Sequence, residues 1–263
     1  MDLKIEGKKA LICAASKGLG KATAMCLAEE GAELMLCARD LDSLKSAAEE
    51  IRAVTKRPVH FKECDLTNEG SRAELIQAVE KSMGSIDIVV HNTGGPAPTS
   101  AEETQLQQWK EGYERLFASV AHLNQAFIPG MKKNRWGRIV AVTSLSVLEP
   151  IPGLAVSNAM RSAVTAMLKT LADELAPFNI TVNCVAPGLI NTDRSKSLLE
   201  TRLEKSGQSR EQFMGDYLKS IPAKRLGEPD EFGSAVAFLC SEQAAYITGS
   251  TLSVDGGKRR ATY

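Results

Sequence analysis

Between Cys13 and Gly20 the chain reads Cys13-Ala14-Ala15-Ser16-Lys17-Gly18-Leu19-Gly20, a short segment closed by two glycines spaced G-x-G. After a strand and at the head of a helix, such a loop lets backbone N–H groups approach a pyrophosphate, and the unpaired N–H groups of the helix stabilise the phosphate charge. The chemistry this predicts is nucleotide binding along Ala15, Ser16, Lys17, Gly18, Leu19 and Gly20. The same spacing also ends strands for turn reasons alone, so the flanking elements decide its meaning. Metal chemistry is not predicted. The cysteines (Cys13, Cys26, Cys37, Cys64, Cys184, Cys240) and histidines (His60, His91, His122) stand singly along the chain, without the clustering of a zinc site or a disulfide framework.

The elements that must position this loop follow from the apolar pattern. Strands are expected at Lys9–Ala14, Glu33–Ala38, Val59–Cys64, Ile86–His91, Arg138–Thr143, Ile180–Ala186 and Thr251–Val254, with helices at Gly18–Glu30, Leu41–Val54, Glu69–Met83, Ala101–Lys132, Leu154–Ala176 and Asp230–Cys240. Strands separated by helices read as β-α-β units, whose right-handed crossovers build a parallel sheet covered on both faces. The expected fold is α/β: one Rossmann-type doubly wound domain over residues 1–263, with about seven strands. From Asn191 to about Arg225 the chain turns polar, with helix-like pieces at Ser197–Ser206 and Arg210–Ser220. An insertion beyond a strand's C-terminal end sits where ligands bind in such a sheet, so residues 191–225 are expected to form a substrate lid, against the alternative of a solvated excursion.

At 263 residues and 43% hydrophobic, the chain can bury a sizeable core, which excludes intrinsic disorder as its main state. Thirty-two Lys+Arg balance thirty-two Asp+Glu, so no basic excess exists for nucleic acid or an anionic membrane. No stretch approaches the roughly 20 apolar residues of a membrane span. The first residues carry no signal-peptide run, and a cytoplasmic setting is expected.

Five motifs in order resemble the short-chain dehydrogenase/reductase family over nearly the whole chain. That family's T-G-x-x-x-G-x-G appears as Cys13-Ala14-x-x-x-Gly18-Leu19-Gly20. Its D-[VL] appears as Asp65-Leu66 and its N-N-A-G as His91-Asn92-Thr93-Gly94. Pro187-Gly188-x-Ile190-x-Thr192 matches P-G-x-[IV]-x-T, and Ile247-Thr248-Gly249 through Asp255-Gly256-Gly257 matches the C-terminal signature. The branch it looks most like is the 3-oxoacyl-[acyl-carrier-protein] reductases. The resemblance implies a nicotinamide coenzyme contacted also by Asp65, Leu66, Asn92, Gly94, Arg161, Pro187, Gly188, Ile190 and Thr192. Its second strand ends in Arg39 where NAD-preferring members carry an acidic residue for the ribose hydroxyls. A guanidinium suits a 2′-phosphate, and Lys17 adds a second cation, so NADP(H) is expected over NAD(H), with Asp40 as a contrary charge. Ala14 in place of the first glycine is tolerable in extended backbone and unfavourable at positive φ.

The family's chemistry rests on a Ser, a Tyr, a Lys four residues on, and an Asn in the preceding long helix. Here Ser144 stands at the Ser position, Ser157 at the Tyr, Arg161 at the Lys and Leu116 at the Asn. The i,i+4 spacing keeps Ser157 and Arg161 on one helical face. A Ser hydroxyl is a far weaker acid than Tyr, and Arg cannot pass a proton along. Two readings stay open: an NADP(H)-dependent oxidoreductase interconverting a carbonyl and an alcohol through Ser144, Ser157 and Arg161, or a nucleotide-binding partner protein that has lost the chemistry. Tyr113, His91 and Tyr217 are the substitute proton donors to be weighed. The implied substrate is a small carbonyl or alcohol, an acyl thioester among them. The basic stretch Lys132, Lys133, Arg135 matches a carrier-docking surface, whose second site holds Phe178. The small apolar positions Ala155, Ala159, Ala163, Ala166 and Met167 suit either core or a homodimer or homotetramer interface.

Overall fold

The apolar runs become seven parallel strands because each is short and bounded by turns; the central ones are buried on both faces, while the edge strands are only partly covered. They are β1 (Lys9–Cys13), β2 (Glu33–Ala38), β3 (Val59–Glu63), β4 (Ile88–His91), β5 (Gly137–Val142), β6 (Ile180–Pro187) and β7 (Thr251–Val254). In this computed structural model, which describes residues 2–261, they form one sheet in the order β3-β2-β1-β4-β5-β6-β7. Successive residues point to opposite faces. Ala10 and Ile12 join one apolar cluster with Leu27, Leu34 and Phe232. Leu11 and Cys13 join the other, with Leu75, Val89, Leu123 and Leu168.

The helices are α1 (Gly18–Glu29), α2 (Leu41–Thr55), α3 (Glu69–Met83), α4 (Leu106–Gly112), α5 (Ser119–Asn134), α6 (Ala155–Leu175), α7 (Asp193–Ser206), α8 (Arg210–Lys219) and α9 (Pro229–Leu239). The strand order reverses between β1 and its neighbours β2 and β4, which opens a crevice at their C-terminal ends. None of the described helices is long and apolar enough to cross a membrane.

Three departures from the sequence pattern have local causes. The fourth strand starts at Ile88 because Asp87 pairs with Lys9 through its backbone and its carboxylate. The expected helix 101–132 starts at Leu106 and is broken by a π-helical stretch at Tyr113–Ala118. The wider turn follows Gly112, where a Cβ would lie 2.2 Å from the Val156 side chain, so α4 and α6 approach as only glycine permits. The helix expected to begin at Ser197 starts at Asp193, because Thr192 caps it by accepting from the Ser195 N–H.

The small-residue face of α6 is on the surface: Ala159, Ala163 and Ala166 are exposed and Ala155 and Met167 half-buried. The three exposed alanines are therefore not intramolecular core, whereas Met167 packs on the edge of the second apolar cluster.

Ala14 leaves β1 in the left-handed region, with φ 49°. That conformation costs an L-residue roughly 1–2 kcal/mol, and glycine returns about 0.4–1 kcal/mol of it as unfolded-state entropy. Ala14→Gly is therefore expected to stabilise the protein by about 0.5 kcal/mol, and Ala14→Val, with its branched Cβ, to destabilise it by more than 1 kcal/mol. Urea midpoints of the three proteins check the ordering, and a Gly variant less stable than the natural chain would refute the strain.

Candidate active site

The loop from Ala14 to Gly20 joins β1 to α1 at the crevice. Gly18 takes φ +56°, and a Cβ there would touch only the Thr192 methyl, at 3.5 Å. Gly20 has no room for a side chain. A Cβ would lie 2.2 Å from the Ala14 carbonyl oxygen and 2.9 Å from Asn92 Nδ2. Lys17, the N-cap of α1, makes no side-chain capping bond, so no side chain shields the first N–H groups of the helix. Ala15 lies beneath this loop: its side chain is fully buried and its N–H donates to the Cys37 carbonyl. Ser16 and Leu19 are half-buried on the loop itself.

Charge around the second strand is arranged for an anion. Arg39 and Lys17 are exposed, and neither has an ion-pair partner among the described residues. Asp40 is committed elsewhere: its Oδ1 accepts from the Ser43 N–H at 2.7 Å and caps α2. That hydrogen bond, with Lys17 nearby, holds its carboxyl below the usual range. Burial would raise the Asp65 carboxyl, but bonds from the Thr67 N–H and hydroxyl, with Arg39 and Arg115 nearby, hold it low. Leu66 is buried and its carbonyl accepts from Arg72. A Cβ at exposed Gly94 would meet nothing within 4 Å. Across the crevice, β6 ends at Pro187. Gly188 abuts Asp255 so closely that a Cβ would lie 2.7 Å from its Cα, and Ile190 is buried.

Ser157 and Arg161 meet on α6 beside the end of β5, and Ser144 follows Val142, the last residue of β5, by two positions. Arg161 donates from Nε to Ser157 Oγ at 3.3 Å and from Nη1 to the Val142 carbonyl at 2.8 Å. Ser157 is buried and its hydroxyl proton remains free. Ser144 Oγ accepts from the Ser146 N–H at 3.1 Å, which also leaves its proton to donate. Burial first, and Arg194 second, push the Arg161 guanidinium down to about 10, so it stays charged at neutral pH. Behind this group runs a small cavity lined by His91, Thr93, Leu116, Val120, Val142 and Arg161. The apolar Leu116 and Val120 leave that wall without a side chain to hold a relay water.

Each of the substitute proton donors is engaged locally. Tyr113 is largely exposed and stacks on Phe117 at 5.6 Å. Tyr217 packs on Phe213 within α8, at 6.2 Å. His91 does line the cavity, but its Nε2 is paired with Asn124 Oδ1 at 2.8 Å and desolvation pushes it down to about 4. It is neutral across the working range. This depression makes acid stability legible. Below an unfolded-state pKa of about 6.5 only the unfolded chain takes the proton, so stability falls as pH drops from there toward 4, by about 3 kcal/mol in all. His91→Asn is expected to remove most of that slope between pH 6.5 and 4, measured by urea unfolding. An unchanged slope would refute the assignment.

Sequence reasoning missed two residues here, Arg115 and Arg194. Arg194 follows the cap Thr192 by two, in the first turn of α7, where the helix dipole opposes a cation. A cation at a helix N-terminus was the signal available. Of the basic stretch, Arg135 donates to the Pro177 carbonyl and Lys132 sits over the Phe178 ring at 4.8 Å, so both are engaged within the chain.

Comparison with known proteins places this geometry. A family model described as enoyl-(acyl carrier protein) reductase matches residues 13–259. The chain is 32% identical over 257 residues to the NADPH-dependent reductase BacG of Bacillus subtilis strain 168, covering 97% of this chain and 98% of that one. It is 36% identical over 255 residues to the 3-oxoacyl-[acyl-carrier-protein] reductase FabG of Vibrio cholerae, with 97% and 98% covered. Among solved structures, L-sorbose reductase of Gluconobacter frateurii, complexed with NADPH and L-sorbose, superposes with a TM-score of 0.94 at 30% identity, over 99% of this chain and all of that one. YwfH, an NADPH-dependent reductase involved in bacilysin biosynthesis, gives 0.93 at 30%, over 97% and 100%.

Proposed function

We propose that this chain, which belongs to the short-chain dehydrogenase/reductase family, is an NADP(H)-dependent oxidoreductase that interconverts a carbonyl and an alcohol with Ser and Arg in place of the usual Tyr and Lys. The fit of the coenzyme is supported by the uncapped α1 N-terminus, the open space beside Gly18, where a Cβ would meet only the Thr192 side chain, and the unpaired Arg39 and Lys17. Ser16 to Leu19 would line the diphosphate, with Ala15 and Gly20 packed beneath them, Arg39 and Lys17 would hold the 2′-phosphate, and Asp65, Leu66, Asn92, Gly94, Arg161, Pro187, Gly188, Ile190 and Thr192 would border the rest. When bound, the dinucleotide supplies or accepts the hydride.

The observation that carries the reading is the pair of bonds fixing Arg161: Nε to Ser157 Oγ and Nη1 to the Val142 carbonyl. They hold a cation that stays charged at neutral pH beside the free Ser157 hydroxyl, and Ser144 lies two residues beyond the Val142 carbonyl that Arg161 grips. In reduction, Ser144 and Ser157 hydrogen-bond the substrate oxygen, and Arg161 stabilises the negative charge developing there. Neither hydroxyl is acidic enough to act as an efficient general acid at neutral pH, so the alkoxide takes its proton from bulk solvent without general-acid assistance, the hydroxide left behind is neutralised by buffer, and turnover is correspondingly slow. Residues 191–225, with α7 and α8 beyond Thr192, act as the lid.

The exposed small-residue face of α6 supports a homodimer or homotetramer. Six unpaired thiols, five of them buried, support a reducing cytoplasm. Two of the three basic residues before β5 are engaged within the chain, so a free small carbonyl compound is the better substrate reading than a carrier-bound acyl thioester.

The test follows NADPH absorbance with a panel of ketones, 2-oxo acids and short β-ketoacyl thioesters, after calorimetry has established binding. Oxidation by at least one class is expected. Bound NADPH with no oxidation across the panel would support the second reading instead, a non-catalytic nucleotide-binding protein. That alternative is motivated by the joint replacement of three family residues by Leu116, Ser157 and Arg161.

A further inference from the structure

We propose that Arg161 and Arg194 form a clasp for a substrate carboxylate, so that the small molecule turned over here carries a carboxylate close to its carbonyl. This rests on the reductase reading above and names its substrate class. The two guanidinium groups converge on Gly95 from different elements. A Cβ there would lie 2.5 Å from Arg194 Nη2 and 3.8 Å from Arg161 Nη2. Arg161 spends Nε and Nη1 on Ser157 and Val142, which leaves Nη2 as its donor toward that point. The Arg194 side chain makes no hydrogen bond and no ion pair with any described residue, and neither does the Arg115 side chain.

Arg161 thus neighbours Arg194, and Arg194 neighbours Arg115; no carboxylate among the described residues forms an ion pair with any of the three, the nearest acidic influence being Asp65 beside Arg115. Desolvation and their mutual repulsion weaken the protonated form of Arg161 and Arg194. Holding like charges together in a partly desolvated cleft is unfavourable unless an anion is bound between them. The first turn of α7 adds the positive end of a helix dipole. A carboxylate, with two oxygens in one plane, matches two guanidinium donors presented from two sides. The dinucleotide's own phosphates have other partners, since the glycine loop, Arg39 and Lys17 serve them.

The test uses oxamate, a carboxylate that cannot be reduced, titrated calorimetrically into the protein with and without saturating NADPH. In parallel, rates are compared for 2-oxo acids and their methyl esters. Oxamate is expected to bind, acids to outrun esters, and Arg194→Met to weaken oxamate about 10- to 100-fold while NADPH affinity stays unchanged. Arg194→Lys, which keeps the charge without the fork, should fall between. An NADPH affinity that falls with Arg194→Met, or an oxamate affinity that does not, would overturn the clasp. If neutral ketones and esters react as fast as acids, the clasp fails and the reductase reading stands. If NADPH is never oxidised, the reductase reading fails while the oxamate titration without coenzyme still decides the clasp.

Discussion

Introducing Ser157→Tyr and Arg161→Lys together is expected to raise the rate of neutral-ketone reduction about 100- to 10 000-fold, the range over which a positioned general acid acts. The two positions share one face of α6 at i,i+4 spacing, and the present side chains already touch there at 3.3 Å. Tyr offers a proton at a reference pKa of about 10, and an adjacent ammonium lowers it toward the working pH. Ser and Arg supply no such group: the first is too weak an acid, and the second holds its proton even when burial and Arg194 push it down to about 10. Ser157→Tyr alone should gain less, because Arg161 stays bound to Val142 and presents a fork where the relay uses a compact ammonium. The same double change removes half of the arginine clasp, so the preference for 2-oxo acids over their esters should shrink as the rate on neutral ketones grows. Steady-state kinetics on one ketone and one acid–ester pair read both effects. A double variant that binds NADPH yet reduces ketones no faster than the natural chain would show that proton supply does not limit this site.

The sequence pattern carried the architecture because it depends on burial. The run from Ile88 to Val90 is apolar throughout, as a strand covered on both faces must be, and the structure places all three residues at zero exposure. Ends of elements were less legible, because single contacts set them. Asp87 anchors Lys9 instead of extending β4, and Ala14 turns left-handed instead of extending β1. The π-helical stretch was invisible, since it answers the approach of Gly112 to Val156, which are far apart in sequence. The same division holds at the site. Ser157 and Arg161 could be paired from spacing alone, because helical geometry fixes which residues are neighbours. Arg194 and Arg115 could not, because the meeting of Arg194 with Arg161 depends on how α6 and the start of α7 fold around Gly95, and that of Arg115 with Arg194 on how the π-helical stretch lies against α7. The competing charge of Asp40 was likewise undecidable until the structure showed its carboxylate turned into the cap of α2.

Coenzyme choice gives the second large effect. Arg39→Asp is expected to shift the ratio of NADPH to NADH affinity by about 1000-fold toward NADH. A charge-assisted contact to the 2′-phosphate contributes about 1.5–3 kcal/mol, so its loss alone weakens NADPH about 10- to 100-fold. The new carboxylate then repels the phosphate in NADPH and accepts from the ribose hydroxyls in NADH, and each effect moves the ratio the same way. Position 39 follows Ala38, the last residue of β2, and is exposed, so the substitution disturbs no packing. Asp40 does not already play this part, because its Oδ1 accepts from the Ser43 N–H. Lys17 limits the change: as the exposed N-cap of α1 it keeps one cation in reach of the phosphate, so Lys17→Ala should enlarge the shift when combined with Arg39→Asp. Surface charges are screened over roughly 10 Å at 0.1 M salt, so the natural protein's preference for NADPH should narrow as salt rises, and the Arg39→Asp variant should show little such dependence. Fluorescence titration of both reduced coenzymes at two ionic strengths measures all of this. A ratio that stays where it was would mean that the 2′-phosphate is held elsewhere, and that the charge at the end of β2 is an ordinary solvated one.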